Sequence, residues 1–257
     1  MKLECAGITD VGTTRDHNED DFYLSQGEEA LCIVADGMGG HRSGEVASAM
    51  AIRAIVEYYR ETMPGSGFSP AKNGEESPSE VDLDQYRLSH ALLTANRVVF
   101  DAASGNEDYQ GMGTTIVTGY FTETGVYMAH IGDSRGYRLR DGKLQQITHD
   151  HSLANEYVRM GILLAEDVEF FPYKNVITRA CGLSDNVEVD VLFDEFQAGD
   201  LYLLCSDGLS DMVPDRELVE IVKRDLTLDA MCQELVRCAN ENGGADNITL
   251  ILARVVA

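Results

Sequence analysis

The sequence is poor in basic residues. Its 257 residues include 20 Lys and Arg against 44 Asp and Glu, which gives a formal net charge of -24. A nucleic-acid-binding protein normally carries a basic face, so this balance argues against nucleic acid as a partner. A strongly acidic surface instead suits cationic partners, including metal ions.

Long apolar runs and paired cysteines are also missing. No run approaches the roughly 18 apolar residues that a membrane helix needs, so we expect no membrane span. None of the six cysteines forms a Cys-x-x-Cys pair, which argues against a zinc ribbon. The residues at 1–5 lack the apolar region of a signal peptide. We therefore expect a cytoplasmic protein with reduced thiols, and we expect it to be a monomer.

Several common ligand-binding motifs are absent as well. The sequence has no Gly-x4-Gly-Lys-Ser/Thr phosphate loop and no Gly-x-Ser-x-Gly nucleophile turn. Asp16, Asn18 and Asp20 are spaced as in a calcium-binding EF-hand loop, but Asp21 stands where that loop requires glycine. These differences argue against a P-loop protein, a serine hydrolase of that type and an EF-hand.

The hydrophobic pattern predicts both strands and helices. Apolar runs bounded by Gly, Asp or Asn predict strands at 31–35, 115–120, 126–131, 187–193, 201–205 and 248–256. Apolar spacing of three and four residues predicts helices across 47–58, 83–103 and 228–239, with a shorter one at 214–222. Because the strands come mostly in hairpin-linked pairs and the helices are grouped, we predict an α+β fold of two packed antiparallel sheets with helices outside.

One segment interrupts this pattern. Residues 62–81 are rich in Pro, Gly, Ser and Asn and lie between two predicted helices. We interpret the segment as a mobile surface insertion rather than a domain boundary, because neither side looks self-sufficient. The whole chain, 1–257, is therefore expected to form a single domain.

Four aspartates stand next to predicted strands. They are Asp36, Asp133, Asp207 and Asp246. Each alone is typical of a turn, since Asp and Gly both favour turns. If the strands lie side by side in packed sheets, however, the carboxylates converge and repel each other unless cations neutralise them. Oxygen ligands without His or Cys suit Mg²⁺ or Mn²⁺.

Neighbouring residues support two-metal chemistry but leave alternatives open. The bare backbone at Gly37 could let its carbonyl reach a metal, or Gly37, Gly39 and Gly40 could simply make a turn. Arg15 could bind a phosphate, or it could pair with Glu19 at the surface. Paired metals would activate water and clamp a phosphate ester, so the pattern points to two-metal hydrolysis.

Seven segments, in order along nearly the whole chain, resemble a known family. They are DVGTTR (10–15), NED (18–20), VADGMGG (34–40), GMGTT (111–115), IGDSR (131–135), CSDGL (205–209) and DNIT (246–249). The chain thus resembles the metal-dependent Ser/Thr protein phosphatases, the protein phosphatase 2C family, in its compact bacterial form. The resemblance implies a central β-sandwich of two antiparallel sheets flanked by antiparallel helical pairs, with a metal cleft at one end.

The resemblance also implies roles for the acidic residues. Asp36 would bridge two Mn²⁺ or Mg²⁺ ions, with the Gly37 carbonyl on one of them. Asp207 and Asp246 would hold the other. Asp133 would belong to a third, weaker site.

Further roles follow from the same resemblance. Asp20 or Glu19 would contribute to the third site through water. Arg15 would hold the phosphate while a metal-bridging water or hydroxide attacks phosphorus in line, without a phosphoenzyme. Eukaryotic relatives carry a histidine, thought to protonate the leaving oxygen, where this chain has Met38. The nearby His41 is a candidate for that acid.

Residues 153–180 (Leu153–Ala180) correspond to the family's flap, a substrate-facing loop and short helix. In the flap, Phe170 and Phe171 could contact substrate or pack the flap against the domain, and we favour packing. His149 and His151 precede the flap, and either could be structural.

The resemblance predicts a phosphatase that acts on phosphoserine and phosphothreonine in proteins and opposes a bacterial Ser/Thr kinase. A pseudophosphatase that only binds a partner is the alternative, although the intact ligand positions count against it. A two-metal phosphodiesterase is disfavoured by the charge of -24. A cysteine-dependent phosphatase is disfavoured because no cysteine is followed by a suitable arginine-bearing loop.

Overall fold

The structure, a computed structural model, describes residues 2–25, 27, 30–39, 43–63 and 80–256, with the backbone alone at 80–82. The strands are β1 (Lys2–Asp10), β2 (Asp20–Leu24), β3 (Ala30–Met38), β4 (Gly113–Thr114), β5 (Ile116–Phe121), β6 (Gly125–Ile131), β7 (Arg135–Arg140), β8 (Lys143–Gln146), β9 (Asp190–Glu195), β10 (Leu201–Cys205) and β11 (Ile248–Val256). The α-helices are α1 (Ser43–Glu61), α2 (Glu80–Gly105), α3 (Leu153–Arg159), α4 (Asp207–Ser210), α5 (Asp215–Val222) and α6 (Leu228–Glu241).

Two antiparallel sheets pack face to face. The strand order is β1-β11-β10-β7-β8 in one sheet and β2-β3-β5-β6-β9 in the other, with β4 paired to β3. The sheets bury a shared apolar layer that includes Val34, Val117, Met128, Leu204 and Ile251. Helices α1 and α2 cover the outer face of the second sheet, and α5 and α6 cover that of the first. The predicted α+β sandwich with outer helices is confirmed.

Residues 30–35 of β3 are all apolar, and this part of the strand is buried on both faces. Successive side chains of a strand point to opposite faces. Ile33 therefore packs toward α1 and α2, whereas Cys32 and Val34 pack between the sheets. By the same alternation Asp36 belongs to the inter-sheet face, at the point where the apolar layer ends.

Several predicted boundaries were wrong. β3 continues through Gly37 to Met38 instead of ending at residue 35, because Gly37 and Met38 pair with β4. β9 begins at Asp190 rather than at 187. β1, β2, β4, β7 and β8 were not predicted; of these, β1 and β8 are edge strands whose exposed polar side chains weaken the apolar signal.

Most of the predicted insertion, 64–79, lies outside the described residues. At its start, the Thr62 backbone N–H and hydroxyl both donate to the carbonyl of Tyr58. Among the helices of the described ranges, none has the length and apolar character needed to cross a membrane.

Candidate metal centre

Carboxylates meet at one end of the sandwich. Asp20 of β2 lies directly opposite Asp36 of β3 in the strand register. Asp207 begins α4 just after β10, Asp133 follows β6, and Asp246 precedes β11. The pKa of Asp36 is raised well above its ordinary value, first by burial and then by the charges of the other four. The structure therefore brings together all four aspartates singled out from the sequence, and Asp20 with them.

Three of these carboxyl groups titrate near neutral pH. Burial raises the pKa of Asp20 to about 7, although side-chain hydrogen bonds, including one of 2.8 Å from Ser206 Oγ to Asp20 Oδ2, oppose the rise. Burial also raises the pKa of Asp133 to about 7 and that of Asp207 to about 6. Without a bound cation the cluster therefore retains protons, because buried carboxylates at close range cannot all ionise.

Several oxygens in this region are buried without a hydrogen-bond partner among the described residues. They are Oδ1 of Asp133, Oδ1 of Asp207 and Oε1 of Glu19. His17 Nε2 lies 3.6 Å from that Oε1, beyond hydrogen-bond distance. A buried carboxylate oxygen without a partner is costly, and a hard divalent cation satisfies such oxygens. The donor set thus fits Mg²⁺ or Mn²⁺.

Gly37 is needed for close packing rather than for a turn. A Cβ atom at this position would lie 2.2 Å from the carbonyl oxygen of Gly44 and 2.5 Å from that of Glu19. The Gly37 N–H also donates to the Glu19 carbonyl at 3.1 Å. Three backbone segments therefore converge beside Asp36, and a side chain at 37 would separate them.

The backbone of Asp36 is fixed from the other side. Its carbonyl accepts hydrogen bonds from Thr114 Oγ1 and from the Thr115 N–H, each at 2.8 Å. The Thr115 hydroxyl in turn lies 2.7 Å from the hydroxyl of Ser134, next to Asp133. The GMGTT segment thus connects the Asp36 strand to the Asp133 turn.

Arg15 lies at the acidic cluster, and its partner is not Glu19. Arg15 Nη2 is 2.6 Å from Asp246 Oδ2, and both side chains are partly exposed.

Asn247, which was not identified from the sequence, holds the loop that carries Arg15 at the site. Its Nδ2 donates to the carbonyls of Val11 and His17, and its Oδ1 accepts from the Glu19 N–H, at 2.8–3.0 Å. The available signal was an amide directly after Asp246 in the DNIT segment.

A cavity of about 590 Å³ lies between the cluster and the flap. Asp133 and Asp207 line one side, and Val168, Glu169 and Lys174 of the flap line the other. The predicted flap therefore borders the site.

Asp211 lines the same cavity and was not identified from the sequence. Its charge is the second cause, after burial, of the raised pKa of Asp207. The available signal was its position four residues after Asp207, which places both carboxylates on one side of a helical turn.

The two flap phenylalanines have different environments. Phe170 is 78% exposed, whereas the Phe171 ring lies 5.6 Å from that of Tyr157. The expected packing against the domain was therefore wrong for Phe170, and the aromatic contact of Phe171 lies within the flap itself. His41 lies outside the described residues.

Comparison with known proteins agrees with this chemistry. The model of the family described as "Protein phosphatase 2C" matches residues 13–253. The serine/threonine phosphatase stp of Listeria innocua is 39% identical over 246 residues, which cover 95% of this chain and 92% of that protein. The structure of the Mycobacterium tuberculosis serine/threonine phosphatase PstP/Ppp has a TM-score of 0.85, 35% identity and coverage of 100% of both chains. A structure of the PstP catalytic domain with two manganese ions has a TM-score of 0.82 at 35% identity and covers 99% of both chains.

Proposed function

Because the chain belongs to the protein phosphatase 2C family and is a metal-dependent serine/threonine protein phosphatase, we propose that its catalytic centre is the carboxylate cluster at the end of the sandwich. The observation that carries this proposal is the convergence of buried carboxylates whose oxygens lack partners. When bound there, divalent ions activate water and neutralise the charge of the phosphoryl group that is transferred.

Two ions, Mn²⁺ or Mg²⁺, would lie between Asp36, the Gly37 carbonyl, Asp207 and Asp246. The hydrogen bonds of Thr114 and Thr115 support Asp36 as a ligand, because they fix its backbone before any ion binds. The close packing around Gly37 likewise supports a rigid backbone at this point. Binding would displace the protons that burial retains on the cluster.

A third ion would bind between Asp133, Asp207 and Asp211. The support is that all three line the cavity under the flap, where Asp133 and Asp207 each have an unpartnered buried oxygen. Asp20 accepts a hydrogen bond from Ser206 at 2.8 Å, so we assign it to the hydrogen-bonded surroundings of the ions, whereas Glu19, whose Oε1 has no partner among the described residues, would contribute through water.

Arg15 would donate to the substrate phosphate. Its guanidinium now pairs with Asp246 Oδ2 at the edge of the cluster. Coordination by Asp246 would weaken that ion pair and leave the planar donor groups of Arg15 for the phosphate oxygens, which they match in geometry. His41 stays a prediction for the proton donor to the leaving oxygen.

Phosphoserine and phosphothreonine in proteins are made by kinases, so we also propose that this enzyme opposes a Ser/Thr kinase in the bacterial cytoplasm. The phosphoprotein substrate would bind in the cavity between the carboxylate cluster and the flap, Leu153–Ala180. The exposed Phe170 of the flap is available to contact it.

The test is release of phosphate from a phosphothreonine peptide. We expect turnover with Mn²⁺ or Mg²⁺, none in EDTA, and a loss of about a hundredfold or more in Asp36→Asn, the scale seen when one electrostatic catalytic group is removed. Asp225→Asn, at an exposed position outside the site, serves as the control. Activity that persists in EDTA or in Asp36→Asn would refute the proposal. A protein that binds a kinase without turnover in Mn²⁺ would favour the pseudophosphatase alternative.

A further inference from the structure

A second cluster of titratable groups lies at the base of the flap. His130, His151 and Asp190 place ligand atoms within 4.8 Å of one another, a grouping that could hold a metal. Arg179 Nη1, however, is 3.0 Å from Asp190 Oδ1 and 3.3 Å from His151 Nε2. A guanidinium thus faces the atoms that a metal ion would use. The cluster is therefore better described as a hydrogen-bonded junction than as a metal site.

His151 holds the Gly132 peptide from two sides. The Gly132 N–H donates to His151 Nδ1 at 3.1 Å, and the His151 N–H donates to the Gly132 carbonyl at 2.9 Å. Because Nδ1 accepts a hydrogen bond, the ring proton lies on Nε2, which is 3.4 Å from Asp190 Oδ2. Burial lowers the pKa of His151 to about 4, which keeps the ring neutral at pH 7.

The same residue closes the base of the flap. The His151 carbonyl accepts from the Thr178 N–H at 2.8 Å, and the Leu153 N–H donates to the Val176 carbonyl at 2.8 Å. Ser152 and Ile177 form a bridge between these bonds. The two ends of the flap are thus held side by side, with His151 at the point where they meet the domain.

Gly132 is packed closely against Thr115. Its φ of +109° lies in a region that favours glycine. A Cβ atom here would lie 2.6 Å from Thr115 Cβ. Since Asp133 is the next residue, a displaced Gly132 peptide would displace the Asp133 carboxylate.

We propose that His151 is a positioning residue: its Nδ1 fixes the Gly132 amide, and through it Asp133, while its backbone holds the base of the flap. Because one residue holds both the flap and the Asp133 turn, the third-ion site and the substrate cavity form together. The inference rests on the proposed function, because it takes Asp133 as a metal ligand.

Two substitutions of His151 test its two ring contacts one at a time: the hydrogen bond between Nδ1 and Gly132, and the contact between Nε2 and Asp190. In His151→Asn the amide oxygen can occupy the place of Nδ1 and accept from Gly132, but the side chain is too short to reach Asp190. In His151→Gln the longer side chain can reach Asp190 but offers no acceptor at the Nδ1 place. Both variants carry a side-chain amide, but each keeps a different one of the two ring contacts of His151. Arg140→Lys, which weakens a partly buried ion pair with Asp200 away from the flap, controls for general loss of stability.

Calorimetric titration with Mn²⁺ gives a readout that does not require turnover. We expect His151→Gln to weaken the weakest Mn²⁺ binding step by about tenfold, the scale seen when a residue that orients a metal ligand is lost. We expect His151→Asn to stay within about threefold of the wild type. Hydrogen exchange of the Gly132 amide in the metal-free protein should be faster in His151→Gln and near wild type in His151→Asn. Equal effects in the two variants, or none in either, would overturn the proposal.

Phosphopeptide kinetics complete the test. His151→Gln should raise KM more than it lowers kcat, because the substrate cavity is disturbed while the two central ions remain. If His151→Gln does not fold, the proposal is tested on the wild-type protein by NMR. We then expect a nitrogen–nitrogen coupling through the hydrogen bond between the Gly132 N–H and His151 Nδ1. Absence of this coupling refutes the proposal. A wild type without Mn²⁺-dependent turnover would refute the proposed function instead, while Gly132 exchange and the coupling would still test His151.

Discussion

Replacing Asp133 with asparagine should stabilise the metal-free protein. The carboxyl group is buried next to other carboxylates, and burial is the main cause of its raised pKa. Asparagine keeps the shape of the side chain but carries no charge, so the variant avoids the cost of ionising this position. The same change should remove a ligand from the proposed third-ion site.

The size and direction of this effect follow from the pKa of Asp133, which rises from 3.8 to about 7 on folding. The folded state therefore holds the proton more tightly than the unfolded chain, and ionisation costs stability as pH rises. The cost is absent below pH 3.8, reaches about 1.5 kcal/mol at pH 5 and is nearly complete, at about 4 kcal/mol, at pH 7.5. We expect Asp133→Asn to be more stable than the wild type by about 2–4 kcal/mol at pH 7.5 and by about 1 kcal/mol at pH 5.

Urea denaturation in EDTA at both pH values measures this difference, with the exposed Asp225→Asn as a control that should match the wild type. Saturating Mn²⁺ should then stabilise the wild type more than it stabilises Asp133→Asn, which lacks one ligand. A ligand that binds the folded state adds about 2.7 kcal/mol at a hundred times its Kd. A metal-free Asp133→Asn that is less stable than the wild type, or a difference that is the same at pH 5 and 7.5, would refute the reasoning.

Four further substitutions test other parts of the site. Arg15→Ala should raise KM for a phosphopeptide and tighten Mn²⁺ binding, because the guanidinium leaves Asp246 Oδ2; weaker Mn²⁺ binding by calorimetry would contradict the assigned competition. Gly37→Ala should lower the free energy of unfolding by about 1–3 kcal/mol, since its Cβ meets backbone carbonyls, and unchanged urea denaturation would show that the backbone can move aside. Phe171→Ala should speed protease cleavage of the flap, because it loses the contact with Tyr157. Phe170→Ala, at an exposed position, should not; equal cleavage rates in the two variants would argue against that assignment.

β7 shows why some elements could not be predicted. Its sequence, RGYRLR, has the charge of an exposed loop, yet it forms an inner strand of its sheet. Its three arginines pair with Asp150, Asp194 and Asp200, at 2.7, 2.5 and 2.6 Å. These partners lie elsewhere in the chain, so no local pattern could have indicated that the charges would be compensated.

Arg15 and Asn247 show the same limit at the site. Spacing placed Arg15 near Glu19, but the folded chain pairs it with Asp246. Asn247 connects three loop positions through its amide, and an amide has no such role until the fold brings those positions within hydrogen-bond distance.

The sequence by itself determined the α+β class and most of the residues that can carry the chemistry. Both depend on preferences between near neighbours: apolar periodicity defines strands and helices, and Asp beside Gly marks their ends. The tertiary structure decided which carboxylates lie close together and how much free energy their ionisation costs. The register of β2 against β3 sets Asp20 opposite Asp36, and the packing of the two sheets adds Asp207 and Asp246. Burial at that rim raises the pKa values of Asp20, Asp36 and Asp207 and leaves one oxygen of Asp207 without a partner among the described residues, because the contacts come from segments distant in the sequence.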